Sequence, residues 1–382
     1  MNNKDLMRSY KQYKKHLKIG HLKLSFSKKF FLGVIFFILI PLVIVNIFFK
    51  IKYNKILYIF SFENNKEPMI SIISELTKIN DTKIILDPKG IYILPRILLI
   101  DFFTLLISKP LWTLSNLDFF GALSLKISKY YGYKKKYNIS KLLLFQEYSF
   151  YSSYLTYIFE SENGKLYNMM HGIPGPESSF FRFSKCFVWG DYFKSYYISK
   201  QAESKQFIIT GSIFHQLLSS HKRIGIEVID YDILYALQGD SYGNKNYTQY
   251  TLTILERLSN KNNLKIAVKP HPIYHTNIEI PKSFDILTLT LEESLLKSKL
   301  ILSHYSTIFL DAKVLNRKVL AFLDKEQEEL VRYLDKEEIC FYKNDLYIHL
   351  EKILRKKIFD NSLDDIINLN SDILKVVEDE IH

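Results

Sequence analysis

From residue 55 onward, short apolar runs alternate with longer segments whose apolar positions recur every three or four residues. Runs of four or five apolar residues bounded by polar or glycine positions predict buried strands, and the longer amphipathic segments predict helices between them. Strands are expected over 56–60, 83–86, 142–145, 166–170, 186–189 and 207–210. After a polar stretch at 219–225 a second series follows, over 233–237, 265–269, 284–287, 300–303 and 319–322. Helices are expected over 247–259, 291–299 and 307–315. This alternation predicts an α/β protein with parallel sheets, organised as two Rossmann-like doubly wound domains facing a cleft. Their expected extents are 55–220 and 221–324, with a charged helical region over 325–382.

Ahead of the first strand the pattern is different. Residues 1–54 comprise a basic arm and then, over 30–49, twenty residues without a charge, reading FFLGVIFFILIPLVIVNIFF. A helix of that length spans about 30 Å, the thickness of a bilayer core. A buried helix rarely runs so far without a polar face, and a signal peptide has a shorter apolar region and a small-residue cleavage site. An N-terminal membrane-associated helix is therefore expected. Pro41 lies near its middle and removes a helix hydrogen bond, so the segment reads as a single span or as a re-entrant hairpin. In the hairpin, Lys50, Lys52 and Lys55 join the arm against anionic headgroups.

Composition narrows the class. The 382 residues are 47% hydrophobic and 24% charged, ordinary values for a globular chain and incompatible with general disorder. Two cysteines, Cys186 and Cys340, exclude a disulfide framework and a cysteine-rich zinc module. The net charge of +12 suggests nucleic acid or an anionic membrane, and its location decides between them. Residues 1–55 hold twelve Lys/Arg and one acid, hence +11, while forty basic and thirty-nine acidic residues leave the body at +1. The body carries no nucleic-acid footprint, and the basic arm is expected to meet an anionic membrane surface. Residues 90–136, aromatic and apolar with a lysine-rich end, read equally as core or as a membrane- or acceptor-facing insertion.

Polar clusters fall at the predicted strand ends. Met170-His171-Gly172-Ile173-Pro174-Gly175 follows one strand; a histidine there can donate to a phosphate or accept a hydroxyl proton, and the plain alternative is a glycine turn. Lys269-Pro270-His271-Pro272 follows another, and two prolines hold His271 at the sheet edge, as suits a group that stabilises a leaving phosphate. Ser303-His304-Tyr305-Ser306-Thr307 leads into a helix carrying Asp311, where Ser306 or Thr307 reads as an N-cap or an anion contact. Asp311 suits structural support or a ribose contact. Gly239-Asp240-Ser241 reads as a phosphate or nucleobase loop, and Glu147 as a base or a solvated surface residue. Gly190 and Gly211 end two more strands as lining turns. His215, His221 and His275 have no partner at ligand spacing, and no metal is expected.

In order, His171-Gly172, Trp189-Gly190, Thr210-Gly211-Ser212, Lys269-Pro270-His271-Pro272 and Ser303 to Ala312 resemble a bacterial GT-B glycosyltransferase of surface-polysaccharide synthesis, over roughly residues 55–322. His271-Pro272 and Ser306-Thr307 resemble the donor motifs of sialyl- and Kdo-transferases. His171, His271 and Ser306-Thr307 also match positions in the CDP-glycerol glycerophosphotransferases. The resemblance implies metal-independent transfer from a nucleotide-activated donor, a CMP-sugar first and CDP-glycerol as the alternative, to a hydroxyl of a lipid-linked or polysaccharide acceptor. It implies no cofactor beyond that co-substrate. His271 would stabilise the leaving phosphate, with His171 or Glu147 as base. Lys269, Pro272, Ser303, Ser306, Thr307, Asp311, Gly239, Asp240 and Ser241 would bind the donor, and Gly172, Gly175, Gly190 and Gly211 would line the acceptor side. The expected location is the inner membrane, body facing the cytoplasm. A non-catalytic scaffold that holds a nucleotide or glycan is the rival of another class.

Overall fold

The computed structural model describes residues 4–18, 24–39, 57–61, 73–79, 82–86, 92–146, 149–175, 178–221, 229–238, 245–271, 278–342, 344–355, 363 and 365–381. They form two units, residues 1–213 with 370–382, and residues 214–369.

The first unit opens with helices α1 (Lys4–Lys18) and α2 (Phe26–Leu39), then strands β1 (Leu57–Ser61) and β2 (Thr82–Leu86). Helices α3 (Arg96–Ser108), α4 (Pro110–Ser115) and α5 (Leu117–Tyr137) follow. The chain continues through β3 (Lys141–Leu144), α6 (Ser152–Ser161), β4 (Lys165–Met169), β5 (Lys185–Val188), α7 (Asp191–Ser199) and β6 (Phe207–Ile209). The sheet order is β2-β1-β3-β4-β5-β6 with every pairing parallel. Leu142, Leu143, Leu144, Cys186, Phe187 and Val188 are all buried, as continuous apolar strands covered on both faces require.

The helices at the start of this unit are docked rather than trailing. On α1, Asp5 and Arg8 join an ion-pair cluster with Arg182 and Glu203, at 3.1 to 3.2 Å. Tyr13 donates its hydroxyl to Asp118 on α5 at 3.1 Å. The helix α2 lies against α5 at a close approach that glycine permits: a Cβ on Gly121 would sit 1.6 Å from the Leu32 carbonyl oxygen. Phe36, Phe102 and Phe120 meet there, with ring centroids 4.3 to 6.0 Å apart. Of the expected membrane segment, residues 30–39 are thus helical and packed on one side, and 40–49 lie outside the described residues. Among the described residues no helix is long and apolar enough to cross a membrane.

The second unit begins within α8 (Ile213–His221) and holds β7 (Tyr231–Ala236), α9 (Lys245–Asn262), β8 (Ile266–Lys269), β9 (Asp285–Ile286), α10 (Leu291–Leu296), β10 (Ser298–Ser303), α11 (Ile308–Val314), β11 (Lys318–Leu323), β12 (Ile339–Phe341) and α12 (Leu346–Arg355). Its order is β12-β11-β10-β7-β8-β9, again all parallel. Ile233, Tyr235, Leu300, Leu302, Leu320 and Phe322 pack against Leu252, Leu255 and Leu258 of α9 and Leu346 and Leu350 of α12. Two features depart from the helical tail expected over 325–382. The strand β12 pairs with β11, Phe322 opposite Cys340, and α13 (Ile373–Ile381) returns to the first unit, where Lys185 pairs with Glu380 at 3.4 Å. A three-residue edge strand is specified by its neighbour rather than by its own short pattern.

Candidate functional site

In the second sheet, β7 leads through α9 to β8 on one side, and β10 leads through α11 to β11 on the other. Neighbouring strands whose connections diverge leave a crevice at their C-terminal ends, where open α/β sheets bind ligands. The register places Lys269 beside Ala236 and Leu302 beside Tyr235, so β8, β7 and β10 end together. The chain then leaves one edge, about 10 Å across three strands, toward His271, Gln238 and Ser306.

Each side chain has a definite setting. His271 is half-buried, and burial pushes its imidazole below the ordinary pKa, so the ring is neutral at pH 7, with one nitrogen able to donate and the other to accept. The Lys269 ammonium donates to the Leu289 carbonyl. Ser303 is buried; its hydroxyl donates to the Ala236 carbonyl at 2.8 Å and accepts from Gln238 Nε2 at 3.5 Å, tying β10 to β7. Ser306 Oγ accepts from the Ile308 N–H at 3.3 Å, whereas Thr307 is exposed and makes no side-chain cap. The hydroxyl at the start of α11 is therefore that of Ser306. Asp311 points inward, its Oδ1 3.0 Å from Nε2 of the buried His215. That contact supplies the partner His215 lacked by spacing. Pro272, Gly239, Asp240 and Ser241 lie outside the described residues, as do His275 and Glu147.

A residue with no role assigned from spacing organises this edge. His304 is fully buried between Ser303 and Ser306. Its Nδ1 lies 2.8 Å from the Phe322 carbonyl, which can only accept, so Nδ1 carries the proton. Nε2 then accepts from the Tyr235 hydroxyl at 2.6 Å, with Thr248 Oγ1 at 3.4 Å and Tyr342 Oη 3.1 Å from Nδ1. Burial lowers its pKa to about 4, outweighing the carbonyl contact, and the ring stays neutral. One imidazole thus joins β7, α9, β11 and the turn after β12, and holds the loop that presents Ser306. The signal available in sequence was a histidine set directly after a buried apolar strand.

The first sheet has its own divergence, between β1 and β3, and Gln146 leaves β3 at that point. Its Oε1 accepts from the hydroxyls of Tyr130, at 3.0 Å, and Tyr151, while its backbone N–H donates to Asn168 Oδ1 at 2.7 Å. His171 follows β4 and is partly exposed, and the turn is pinned by Trp189 Nε1 donating to the Met170 carbonyl at 3.1 Å. A Cβ on Gly172 would touch nothing within 4 Å, so that position is open. The carbonyl of Gly175 accepts from the Ser178 N–H at 3.0 Å. Gly190 is the extended N-cap of α7, and Gly211 has φ 80°, a turn that its residue type makes easy. His171, Gly190 and Gly211 therefore follow β4, β5 and β6 along one edge. Among the described residues no group of His, Cys, Asp and Glu could hold a metal ion.

No protein-family model matches the chain, and no curated protein matches it in sequence. Its fold is nevertheless shared. The UDP-GlcNAc 2-epimerase of Methanocaldococcus jannaschii, solved with UDP-GlcNAc and UDP, superposes with a TM-score of 0.54 at 14% identity, covering 85% of this chain and 99% of that one. The UDP-GlcNAc 2-epimerase of Neisseria meningitidis gives 0.52 at 15% identity with the same coverage. A variant of the wall teichoic acid polymerase TagF gives 0.50 at 12% identity, covering 98% and 97%. These likenesses place the chain in the α/β class with a GT-B-like fold of two parallel-sheet units.

Proposed function

We propose that this protein is a glycosyltransferase of bacterial surface-glycan synthesis, moving a sugar from a nucleotide-activated donor, a CMP-sugar, to an acceptor hydroxyl. The observation that carries the reading is the edge of the second sheet, where His271 and the Ser306 hydroxyl leave neighbouring strands beside the β7/β10 divergence. Support for a nucleotide there comes from the fold it shares with an epimerase solved with UDP-GlcNAc and UDP. The second unit holds the nucleotide. As the bond from the sugar to the phosphate oxygen breaks, His271 donates its N–H to the departing phosphate, and Ser306 adds a hydroxyl. The first unit holds the acceptor, whose hydroxyl oxygen bonds to the sugar carbon while its proton passes to His171 or to Glu147. The nucleotide leaves as CMP, and no cofactor is consumed. The acceptor is lipid-linked or polysaccharide, met at the cytoplasmic side of the inner membrane.

A second reading, transfer of glycerol phosphate from CDP-glycerol, is favoured by one observation: a His-Gly turn follows β4 in a chain whose fold resembles that of TagF over nearly its full length. In this reading His271 and His171 keep their places, and the bond broken lies between the two phosphates. Thermal stabilisation by CMP, CDP, UDP and GDP separates the donors. His271→Ala is expected to lower transfer by roughly a hundredfold or more with the melting temperature unchanged. No response to any nucleotide, together with no transfer by the wild type, leaves the non-catalytic scaffold as the better account, and full activity of the variant removes His271 from the reaction.

A further inference from the structure

Three helices of the first unit share an outer face that nothing among the described residues covers. On α2, Gly33, Phe36 and Leu39 are buried, while Phe26, Phe30, Phe31, Phe37 and Ile38 are 50% to 86% exposed. On α3, Leu98, Phe102 and Leu105 turn inward and Ile100, Phe103 and Ile107 outward. On α4, Leu111 and Leu114 are outward, and Ile107 and Leu111 are each 84% exposed. A groove of about 450 Å³ runs between α2 and α4, lined by Phe26, Phe30, Phe37 and Leu114 with Lys14, Lys29 and Asp118 beside them. The helices α2 and α3 are joined beneath the face, where the Phe36 and Phe102 rings pack at a tilt of 53° with centroids 4.3 Å apart. An exposed apolar area of this extent on a soluble surface marks an interaction site.

Charge identifies the occupant. Lys28, Lys29, Arg96 and Lys109 are exposed on these helices. Their one acid, Asp101, faces inward and accepts the Tyr154 hydroxyl at 2.7 Å. The exposed charges on this face are cations, and Asp118 at the groove is partly buried and accepts the Tyr13 hydroxyl at 3.1 Å, so the face matches acyl chains below anionic headgroups. It opposes self-association, since a symmetric pair would bring lysine against lysine.

We propose that the outer face of α2, α3 and α4 lies on an anionic bilayer, in the plane of the headgroups. The proposal extends the membrane contact well beyond the N-terminal arm, and it rests on the transferase reading only for the side of the membrane met. The test is co-sedimentation of the full-length chain with phosphatidylglycerol/phosphatidylcholine vesicles and with phosphatidylcholine alone. Wild type is expected to partition onto the anionic vesicles and to be released by salt. Ile107→Asp with Leu111→Asp changes two side chains already in solvent, outside residues 1–55, and is expected to lower partitioning roughly a hundredfold. The variant should keep its circular dichroism and its thermal response to nucleotide, so failure here is distinct from failure of the transferase reading. Undiminished binding by the double variant overturns the proposal in favour of anchoring by residues 1–55 alone. A dimer in sedimentation velocity that the variant dissolves, with no vesicle binding by wild type, overturns it in favour of a second copy.

Discussion

The two sheets end in edges of similar layout that are held by different chemistry. In the first unit, Gln146 collects the hydroxyls of Tyr130 and Tyr151, and Trp189 clamps Met170. All of these are groups without a charge near neutral pH. In the second unit the same task falls to His304, which joins Tyr235, Phe322 and Thr248, and to the pair His215 and Asp311. The second edge is thus built around a buried imidazole that acid can protonate, and the first around amide, hydroxyl and indole groups that stay uncharged over the same range.

The largest effect expected from breaking this contrast is at His304. His304→Ala removes a buried ring and leaves the Tyr235 hydroxyl and the Phe322 carbonyl without it, for a loss of about 3–5 kcal/mol. Hydrogen exchange should rise across 229–342 and stay unchanged across 141–213; equal loosening of both stretches would refute the separation.

Acid provides the next test. The folded pKa of His304, about 4, lies below the unfolded value of 6.5, so the unfolded chain binds the proton first. The stability from neutral His304 is complete above pH 6.5 and is lost as pH falls through 4, on the order of 3 kcal/mol in total. His271 is shifted in the same direction and adds to the trend. Urea midpoints at pH 7 and pH 5 should differ more for wild type than for His304→Phe. An equal fall in both would assign the acid sensitivity elsewhere.

The smallest effect is expected at Gln146. Gln146→Ala removes the acceptor shared by the Tyr130 and Tyr151 hydroxyls, which still meet each other at 3.1 Å, and costs about 1 kcal/mol, with no change between pH 7 and pH 5. A pH-dependent loss there would erase the contrast between the edges.

Much of this architecture was readable from pattern. All eleven strands expected from apolar runs are present within two residues at either end, because a strand covered on both faces must be apolar throughout. The three helices expected between them are also present, α10 ending three residues short of the expectation. The strand β12 escaped notice because Ile339, Cys340 and Phe341 sit within a charged stretch and become a strand by lying along β11. The positions of His271 and Ser306 at one edge followed from strand ends alone. The work of His304 did not, since its partner Tyr235 is 69 residues away.

Local chemistry along the chain sets which segments become strands, where the glycine and proline turns fall, and where the positive charge is concentrated. Those properties depend on neighbours within a few residues. Which polar groups face each other depends on strand order and register, and these arise only when distant segments pack. The same holds for the N-terminal charge. As sequence it belonged to an arm beside an apolar segment; as structure, α1 is bound into the unit through Asp5 and Arg8, and α2 rests on α5 at Gly121. Packing turned a linear stretch of apolar residues into one buried stripe and one exposed face, because a helix surface has two sides and only one of them meets a partner among the described residues.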